Sequence, residues 1–203
     1  PDGVMSFSVA EELGLDVDFG ERCDTESGLV KVQTFFAPEC YEPFTGDNGG
    51  ATARGVTEDT ITIVQWVSQE QDPILEFITS AILNDDTNAD DEATLRGMIE
   101  YYETYDETYG RSVELIVVEG SGAITDAAAA RADAVKIDEE LDPFMVWGGP
   151  LLTNAFAEEL AARGIPCFEC GPGQTKEWYA DNAGLAYTVG KGPDQLDLLV
   201  AEY

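Results

Sequence analysis

The sequence predicts a doubly wound α/β fold, in which a parallel sheet of about five strands carries helices on both faces. From Val56 onward, short β-branched and aromatic runs alternate with longer stretches of helical periodicity. The connections between these segments are short, which is typical of parallel βαβ units with right-handed crossovers. Ligands of such sheets bind beyond the carboxyl ends of the strands, near the point where the strand order reverses.

The individual elements follow from hydrophobic period and punctuation. Strands are predicted where β-branched and aromatic residues cluster over strand length, and helices where apolar residues recur three and four positions apart. Glycines at positions 110 and 164 mark two helix ends. The predicted strands are 61–67, 113–118, 144–147, 165–168 and 185–189. The predicted helices are 73–83, 92–109, 125–141, 153–163 and 193–203.

Residues 1–55 differ from the rest of the chain. They lack sustained periodicity and end in Gly-Asp-Asn-Gly-Gly at 46–50, which is a turn and linker signal. Cys23 and Cys40 flank a polar, turn-rich segment that is poorly suited to building a core of its own. A disulfide between them would close a short loop and contribute about 3 kcal/mol. We therefore predict an irregular, disulfide-bonded N-terminal extension (1–55) followed by a separate domain (56–203).

The charge balance excludes several classes of partner. The chain has 203 residues, with 41 acidic residues, 10 basic residues and a net charge of -31. Such a surface repels the phosphates of nucleic acid and the anionic headgroups of membranes. The expected role of the acidity is a solvated surface, and an acidic face for a basic partner is the alternative. No apolar run is long enough to span a bilayer, so membrane insertion is not predicted.

The chain begins at a proline, so we expect a processed product or a fragment, and the lack of a signal peptide does not argue against secretion. The absence of histidine excludes Ser-His-Asp and Cys-His catalysis and zinc sites that need His ligands. Cys167 and Cys170 form a C-x-x-C inside an apolar run, whereas redox pairs lie at a helix N-terminus. Buried thiols or a second local disulfide are expected there. A four-Cys zinc site would require both cysteine pairs to meet in space.

Two motifs suggest cofactors and fail on inspection. Gly120-Ser121-Gly122 follows a strand, but a dinucleotide fingerprint needs a third glycine where Thr125 stands. Residues 84–92 resemble a calcium loop, but its glycine and glutamate positions are wrong. Carboxylates are so abundant that no pair of them can be singled out as catalytic. No cofactor and no metal are predicted.

Two segments at predicted strand ends are the candidates for a site. They are 147–154 and 170–175. Each contains glycines, which allow the backbone to approach another group closely. Thr153, Asn154 and Thr175 follow those glycines. Exposed N–H groups at a helix N-terminus make a seat for a carboxylate. Helix capping by Thr153 and Thr175 explains the same residues, and the two roles are compatible.

Several short motifs also occur in the order and spacing of a known family. They are GVTEDTITI at 55–63, YGRSVEL at 109–115, Gly-Gly-Pro at 148–150, AARGIP at 161–166 and GQT at 173–175. On these motifs, positions 55–203 resemble the first lobe of type I periplasmic binding proteins, in the leucine/isoleucine/valine-binding branch of ABC transporter substrate-binding proteins. The resemblance covers about three-quarters of the chain, and the second lobe of that family is missing from it.

The resemblance implies a set of ligand-binding residues. In the family, the loops after the third and fourth strands hold the amino-acid head group. This implies contacts from Thr153 or Asn154 and from the 173–175 segment, which consists of Gly173, Gln174 and Thr175. The loop after the first strand, with Gln69, would wall the side-chain pocket. Two leucines at 151–152 and the bulk of the glutamine at 174 depart from the family pattern and leave the identity of the solute open.

The function implied is solute binding without catalysis. The chain would capture an amino acid or similar small solute outside the cytoplasm and pass it to the membrane permease of an ABC transporter. Two alternatives share the predicted sheet. One is an enzyme on a flavodoxin-like or Rossmann-like sheet, and the other is the ligand-binding ectodomain of a sensory receptor. A strongly perturbed titratable pair at the strand ends would favour the enzyme, and neutral donors there would favour a binding protein.

Overall fold

A computed structural model of the chain describes residues 5–82, 86–171, 173–190 and 192–194. Its helices are α1 (Phe7–Leu13), α2 (Pro73–Thr79), α3 (Asn88–Tyr105), α4 (Ala127–Lys136), α5 (Ala155–Ala162) and α6 (Lys176–Asp181). Its strands are β1 (Cys23–Asp24), β2 (Leu29–Val30), β3 (Thr60–Val67), β4 (Ser112–Glu119), β5 (Met145–Trp147), β6 (Cys167–Phe168) and β7 (Ala186–Tyr187).

Five of these strands form the parallel sheet that the sequence predicts. Their order is β4-β3-β5-β6-β7, and each neighbouring pair is parallel. The predicted fold class is therefore confirmed. β4 lies on one side of β3, and all later strands lie on the other side. The strand order thus reverses between β3 and β5, so the loops after these two strands flank the switch point.

The two faces of the sheet are covered by different helices. Side chains alternate along β3, and Val64 and Trp66 enter the main core together with Phe156 and Leu160 of α5. Alanines of α4 pack into the same core. The opposite face carries Leu115 of β4, which is buried beside α3. Right-handed crossovers place helices on both faces, because the chain crosses the sheet in one direction from β3 to β4 and in the opposite direction from β4 to β5 and onward.

A row of side chains crosses the sheet on the face of α3. The strand register places Gln65, Trp147, Phe168 and Tyr187 side by side on four neighbouring strands. The rings of Trp147 and Phe168 meet edge to face with centroids 6.2 Å apart. Trp147 remains 36% exposed and Tyr187 49% exposed. The β5–β7 part of this face is therefore less deeply buried than the face covered by α4 and α5.

Helix boundaries differ from the predicted ones where capping decides them. The helix predicted at 92–109 begins earlier, because Thr87 and Asp90 form a reciprocal capping box at the start of α3. It ends at Tyr105. The helix predicted at 125–141 begins after Asp126, whose carboxylate caps α4, and its last five residues, Ile137–Leu141, are π-helical. The helix predicted at 153–163 is α5, which is shorter at both ends.

Two further predicted helices need correction or lie outside the described residues, and one helix was missed. The helix predicted at 73–83 is α2, which ends at Thr79; none of its residues is buried, and Phe77 is 79% exposed. α6 was not predicted, since its sequence has no apolar period. Most of the helix predicted at 193–203 lies outside the described residues. Among the described residues, no helix has the length and apolarity needed to cross a membrane.

The N-terminal extension has more structure than the sequence predicts. It contains α1 and the antiparallel β1–β2 hairpin. Cys23 and Cys40 are bonded with sulfurs 2.00 Å apart, which confirms the predicted disulfide. Both cysteines are buried with Ala10 and Phe19 in a small second core. Most of the extension is irregular, as predicted, and the disulfide brings scattered apolar side chains together in this small core.

The extension docks at the amino-terminal edge of the sheet. Arg111 lies just before β4, and its guanidinium donates to the carbonyl oxygens of Asn48, Gly50 and Thr57 at 2.8–3.0 Å. On the other side of β3, Arg54 forms ion pairs with Asp138 and Asp142. The extension therefore lies at the opposite end of the strands from the switch-point loops.

We expect salt to stabilise this protein. The ion pairs of the described residues use only five arginines, whereas the net charge is -31. Screening should relieve more repulsion than it removes attraction, and we expect Tm to rise by roughly 5 °C between low and molar NaCl. The control is the same NaCl series near the isoelectric point, where the effect should nearly vanish. A flat or falling Tm at neutral pH would show that the charges are locally paired.

Candidate functional site

A buried carboxylate joins two of the loops at the carboxyl edge of the sheet. Asp72 is 2% exposed, although it follows a surface turn. Its oxygens accept hydrogen bonds from the backbone N–H groups of Ile124 at 2.7 Å, Ile74 at 2.8 Å and Leu75 at 3.2 Å. The bond from Ile124 is the main reason why the pKa of Asp72 is lowered, and the two α2 amides add to it. Asp72 thus caps α2 and ties it to the loop after β4.

The loop after β5 is attached to the same point. The backbone N–H of Leu152 donates to the carbonyl oxygen of Ile124 at 3.2 Å. Ile124 is 1% exposed. The loops after β3, β4 and β5 therefore converge on one buried residue beside the switch point.

We expect Asp72→Asn to lower Tm by several degrees at neutral pH, because it removes a charged acceptor of three backbone bonds. The folded pKa of Asp72 is depressed, so its stabilising effect is present above the unfolded pKa and is lost as the pH falls through the folded pKa. The wild type and the variant should therefore converge in Tm at strongly acid pH. Asp91→Asn, on the exposed surface of α3, is the matched control. A Tm difference for Asp72→Asn that persists unchanged at acid pH would contradict this explanation.

Gln69 lies on the β4 side of the switch point. Its Nε2 donates to the carbonyl oxygen of Gly120 at 2.9 Å, and the N–H of Gly120 donates to Val67 at 2.9 Å. Gln69 is half-buried. It therefore holds the end of β3 against the end of β4, on the opposite side of β3 from the loop after β5.

A second buried carboxylate, which sequence analysis missed, supports the same edge. Asp133 of α4 is 6% exposed and accepts from the indole N–H of Trp66 at 3.1 Å and from the backbone N–H of Ser121 at 3.0 Å. Trp66 also fills the space above Gly120, where a Cβ would lie 2.3 Å from the ring. No sequence signal distinguishes this aspartate from the many exposed ones.

The structure brings together the loops after β5 and β6. The side-chain Nδ2 of Asn154 donates to the carbonyl oxygen of Gly173 at 3.3 Å. A Cβ on Gly173 would lie 2.7 Å from Asn154 Oδ1, so the two loops touch at a glycine. Thr153 precedes this contact, and its hydroxyl accepts from the N–H of Ala155 at 3.2 Å. The predicted residues Thr153, Asn154 and Gly173 are therefore neighbours.

Gln174 and Thr175 mainly serve the local structure. The side chain of Gln174 is buried, and its Nε2 lies 3.5 Å from a carboxylate oxygen of Glu158 on α5. The hydroxyl of Thr175 accepts from the N–H of Trp178 at 3.2 Å and caps α6. The first N–H of α6 also faces the carboxylate of Asp194 at 3.3 Å. The predicted capping role of Thr175 is confirmed, and the start of α6 is already filled by groups of the protein.

The glycines after β5 lie close to the backbone at the ends of the neighbouring strands. A Cβ on Gly148, whose φ is 78°, would lie 2.7 Å from the carbonyl oxygen of Trp66. A Cβ on Gly149 would lie 2.7 Å from the carbonyl oxygen of Cys170. The predicted close approach of backbone is present, and packing between neighbouring strand ends accounts for it.

The second cysteine pair is also bonded. Cys167 and Cys170 form a disulfide, and both are buried, so the expected alternative of a local disulfide holds. With all four cysteines bonded, their sulfurs are not free to bind zinc. Within the described residues, no group of three or more acidic or cysteine side chains could hold a metal ion.

The carboxyl groups with shifted pKa are held by structural contacts. Hydrogen bonds with Arg54 and then Arg163 lower the pKa of Asp138, and the Thr87 hydroxyl and backbone lower that of Asp90. The other lowered carboxyl pKa values belong to Asp24, Glu39 and Asp72, which accept from serines or backbone N–H groups. In the described part of the chain, these groups do not form an acid–base pair at the carboxyl edge.

Among known proteins, similarity to this chain is found only at the level of solved structures. No family model matches the chain, and no curated protein matches it. One similar structure is the branched-chain amino acid transporter substrate-binding protein LivJ of Streptococcus pneumoniae with isoleucine, at 12% identity and a TM-score of 0.45 over 66% of this chain and 34% of that one. Another is an ABC transporter substrate-binding protein of Desulfitobacterium hafniense with Leu, at 16% identity and a TM-score of 0.44 over 71% of this chain and 39% of that one.

The chain thus spans well under half of the length of these proteins. The scores and identities establish neither a family nor a ligand for it.

Proposed function

We propose that this chain is the first lobe of an extracytoplasmic solute-binding protein, which captures an amino acid or similar small solute for import by an ABC transporter. The observation that carries the proposal is the contact between the loops after β5 and β6, made by Asn154 and Gly173 beside the switch point. Open parallel sheets bind small ligands in this position.

The start of α5 offers the chemistry for a ligand carboxylate. Asn154 occupies the N-cap position, but its side chain does not cap the helix and turns toward Gly173 instead. The first N–H groups of a helix and its dipole attract an anion. Glu158 opposes this in the first turn, and its ion pair with Arg131 at 3.3 Å partly offsets its charge. A solute carboxylate would therefore lie at Thr153 and Asn154.

The rest of the solute would contact the neighbouring loops. A ligand ammonium group would contact the carbonyl oxygen of Gly173, which also accepts from Asn154, and the hydroxyl of Thr175 lies two residues further on. Gln174 would contribute backbone, because its side chain is buried. Gln69 would contribute only through the loop after β3, because its side chain is bonded to Gly120 on the β4 side. These roles use neutral donors and acceptors, which fits binding without catalysis and gives no support to the enzyme alternative.

Two further features support the cellular role. Two disulfides in a chain of this size favour an oxidising, extracytoplasmic compartment. The acidic surface repels anionic headgroups, so the partner at the membrane would be the transporter permease and not the lipid.

The test is an NMR titration of the isotope-labelled chain with L-leucine, L-isoleucine and L-valine, chosen because the sequence resembles that branch of the family. We expect saturable shifts at the amides of 148–154 and 173–175, with a Kd of about millimolar. Gly173→Ala should weaken binding about tenfold, since its Cβ would push Asn154 away. Gly97→Ala is the matched control, because a Cβ there meets nothing within 4 Å.

Two outcomes would contradict the proposal. One is saturable shifts that cluster away from these loops. The other is equal affinity for the Gly173→Ala and Gly97→Ala variants. If none of the three amino acids shifts these amides, a wider panel of amides, peptides and other small solutes decides whether the site takes another solute or none.

A further inference from the structure

We infer that the Cys167–Cys170 disulfide is a positioning element of the solute site, so that the affinity of the site depends on the oxidation state of this pair. The bond fixes the turn that leads from β6 into the loop that carries Gly173, and this turn packs against the loop after β5. The inference rests on the proposed function.

The disulfide closes the turn at the end of β6. Glu169 lies between the two cysteines with φ of 57°, a left-handed conformation that is rare for a residue with a side chain. Its carboxylate accepts from the hydroxyl of Thr188 at 2.9 Å, which anchors the turn to the segment after β7. Because the S–S bond joins Cys167 to Cys170 across Phe168 and Glu169, the turn cannot open while the bond is intact.

The same turn is packed against the end of β5. The Sγ of Cys170 lies 3.6 Å from the carbonyl oxygen of Val146. Gly149 has no room for a Cβ because the backbone of Cys170 fills that space. The N–H of Gly148 donates to the carbonyl oxygen of Phe168 at 3.0 Å. A shift of the turn from Phe168 to Cys170 would therefore displace both glycines of the loop after β5.

The position of Cys170 also determines the position of the 173–175 loop. Gly171 follows it and is buried against α5, where a Cβ would lie 2.9 Å from the Cβ of Ala157. The carbonyl oxygen of Gly171 accepts from the hydroxyl of Tyr179 at 2.9 Å and from the N–H of Gln174 at 3.0 Å. These contacts lead directly to Gly173 and its bond with Asn154.

Reduction would remove this constraint. A dithiol reductant cleaves the S–S bond, each cysteine gains a proton, and the reductant becomes a disulfide. Cys167 and Cys170 are 4% and 1% exposed, so the bond is protected from reductant while the fold is closed. Because the site needs the intact disulfide, it would have its full affinity only after the chain has folded in an oxidising compartment.

The experiment compares two double variants. Cys167→Ala/Cys170→Ala removes this disulfide, and Cys23→Ala/Cys40→Ala is the matched control at the far end of the strands. We expect the first variant to bind L-leucine about tenfold more weakly, the equivalent of one or two lost hydrogen bonds. The control should keep wild-type affinity. The control should lose more Tm, because its disulfide closes a longer loop.

Amide hydrogen exchange provides a readout that needs no ligand. In the Cys167→Ala/Cys170→Ala variant, exchange should accelerate at 148–154 and 173–175 and stay unchanged in α3. A solely stabilising role would instead accelerate exchange throughout the domain.

The outcomes separate this inference from the proposed function. Wild-type affinity and wild-type exchange in the Cys167→Ala/Cys170→Ala variant would overturn the inference and leave the proposed function standing. Failure of the oxidised wild type to bind any small solute would overturn the proposed function, and the exchange rates would still decide whether the disulfide positions the two loops.

Discussion

A chain that carries both lobes is expected to bind its solute about a thousandfold more tightly than the present chain alone. Small-ligand sites bury roughly 70–90% of the ligand surface. In two-lobed binding proteins, that burial comes from closure around a hinge. Under the proposed function, the present chain would offer one side of such a site, at Thr153, Asn154 and the 173–175 loop. Hydrogen bonds that remain open to water contribute only about 1 kcal/mol each, which gives a Kd of about millimolar.

Calorimetry on the present chain and on a chain continued through a second lobe measures this difference. Thr175→Val in the longer chain should weaken binding, since it removes a hydroxyl beside the solute loop. That hydroxyl also caps α6, and loss of a cap costs about 1 kcal/mol of stability. Thr87→Val is the matched control, because Thr87 caps α3 away from the site. Both variants should lose stability, and only Thr175→Val should lose affinity.

Micromolar or tighter binding by the present chain alone would contradict the half-site interpretation. It would indicate that one domain encloses a complete pocket. Equal affinity for the Thr175→Val and Thr87→Val variants would remove Thr175 from the site and leave it with its capping role.

The sheet was predictable from sequence because its signals are local. The β-branched run at 61–67 is a strand by composition alone, and the short connections imply parallel neighbours. The strand order depends on contacts distant in sequence, such as the pairing of Val64 with both Ile116 and Val146. No local pattern specifies those contacts. The position of the switch point between β3 and β5 therefore required the structure.

The candidate site was predictable only as a set of loops. Sequence placed Thr153, Asn154 and Gly173 at strand ends, and the structure brings them together. The sequence could not show that Asp72 and Asp133 are buried, because no pattern distinguishes these two aspartates among 41 acidic residues. Their roles depend on backbone N–H groups supplied by distant loops.

The short elements inside the extension could not be predicted, for a different physical reason. Its strands are only two residues long and its helix has seven, so none of them produces a measurable period. Its core consists of single residues such as Ala10 and Phe19, which are gathered around the Cys23–Cys40 bond. In such a segment a covalent link takes the place of hydrophobic pattern, and only the two cysteines reveal it in the sequence.

Removal of the Cys23–Cys40 disulfide should therefore unfold the extension and leave the sheet intact. The bond closes a loop with a sequence separation of 17, and the loop-entropy relation gives about 3 kcal/mol for its loss. The hydrogen bond from the N–H of Phe7 to the carbonyl oxygen of Cys40, at 2.9 Å, depends on the same closure. A loss of this size exceeds what a core of four buried residues, two of which are the cysteines themselves, can offset.

Limited proteolysis of the Cys23→Ala/Cys40→Ala variant provides the measurement. Arg22 lies just before the disulfide loop and Lys31 lies inside it. In the intact protein, Arg22 is paired with Glu107 at 2.9 Å, and Lys31 donates to the carbonyl oxygen of Glu21. Trypsin should cut the variant after Arg22 and Lys31 much faster than it cuts within residues 56–194. The Cys167→Ala/Cys170→Ala variant is the control and should resist cleavage at both positions. Simultaneous loss of sheet structure in the Cys23→Ala/Cys40→Ala variant would instead show that the extension is required for the fold of the sheet, because the contacts of Arg111 at the amino-terminal edge would then stabilise both parts.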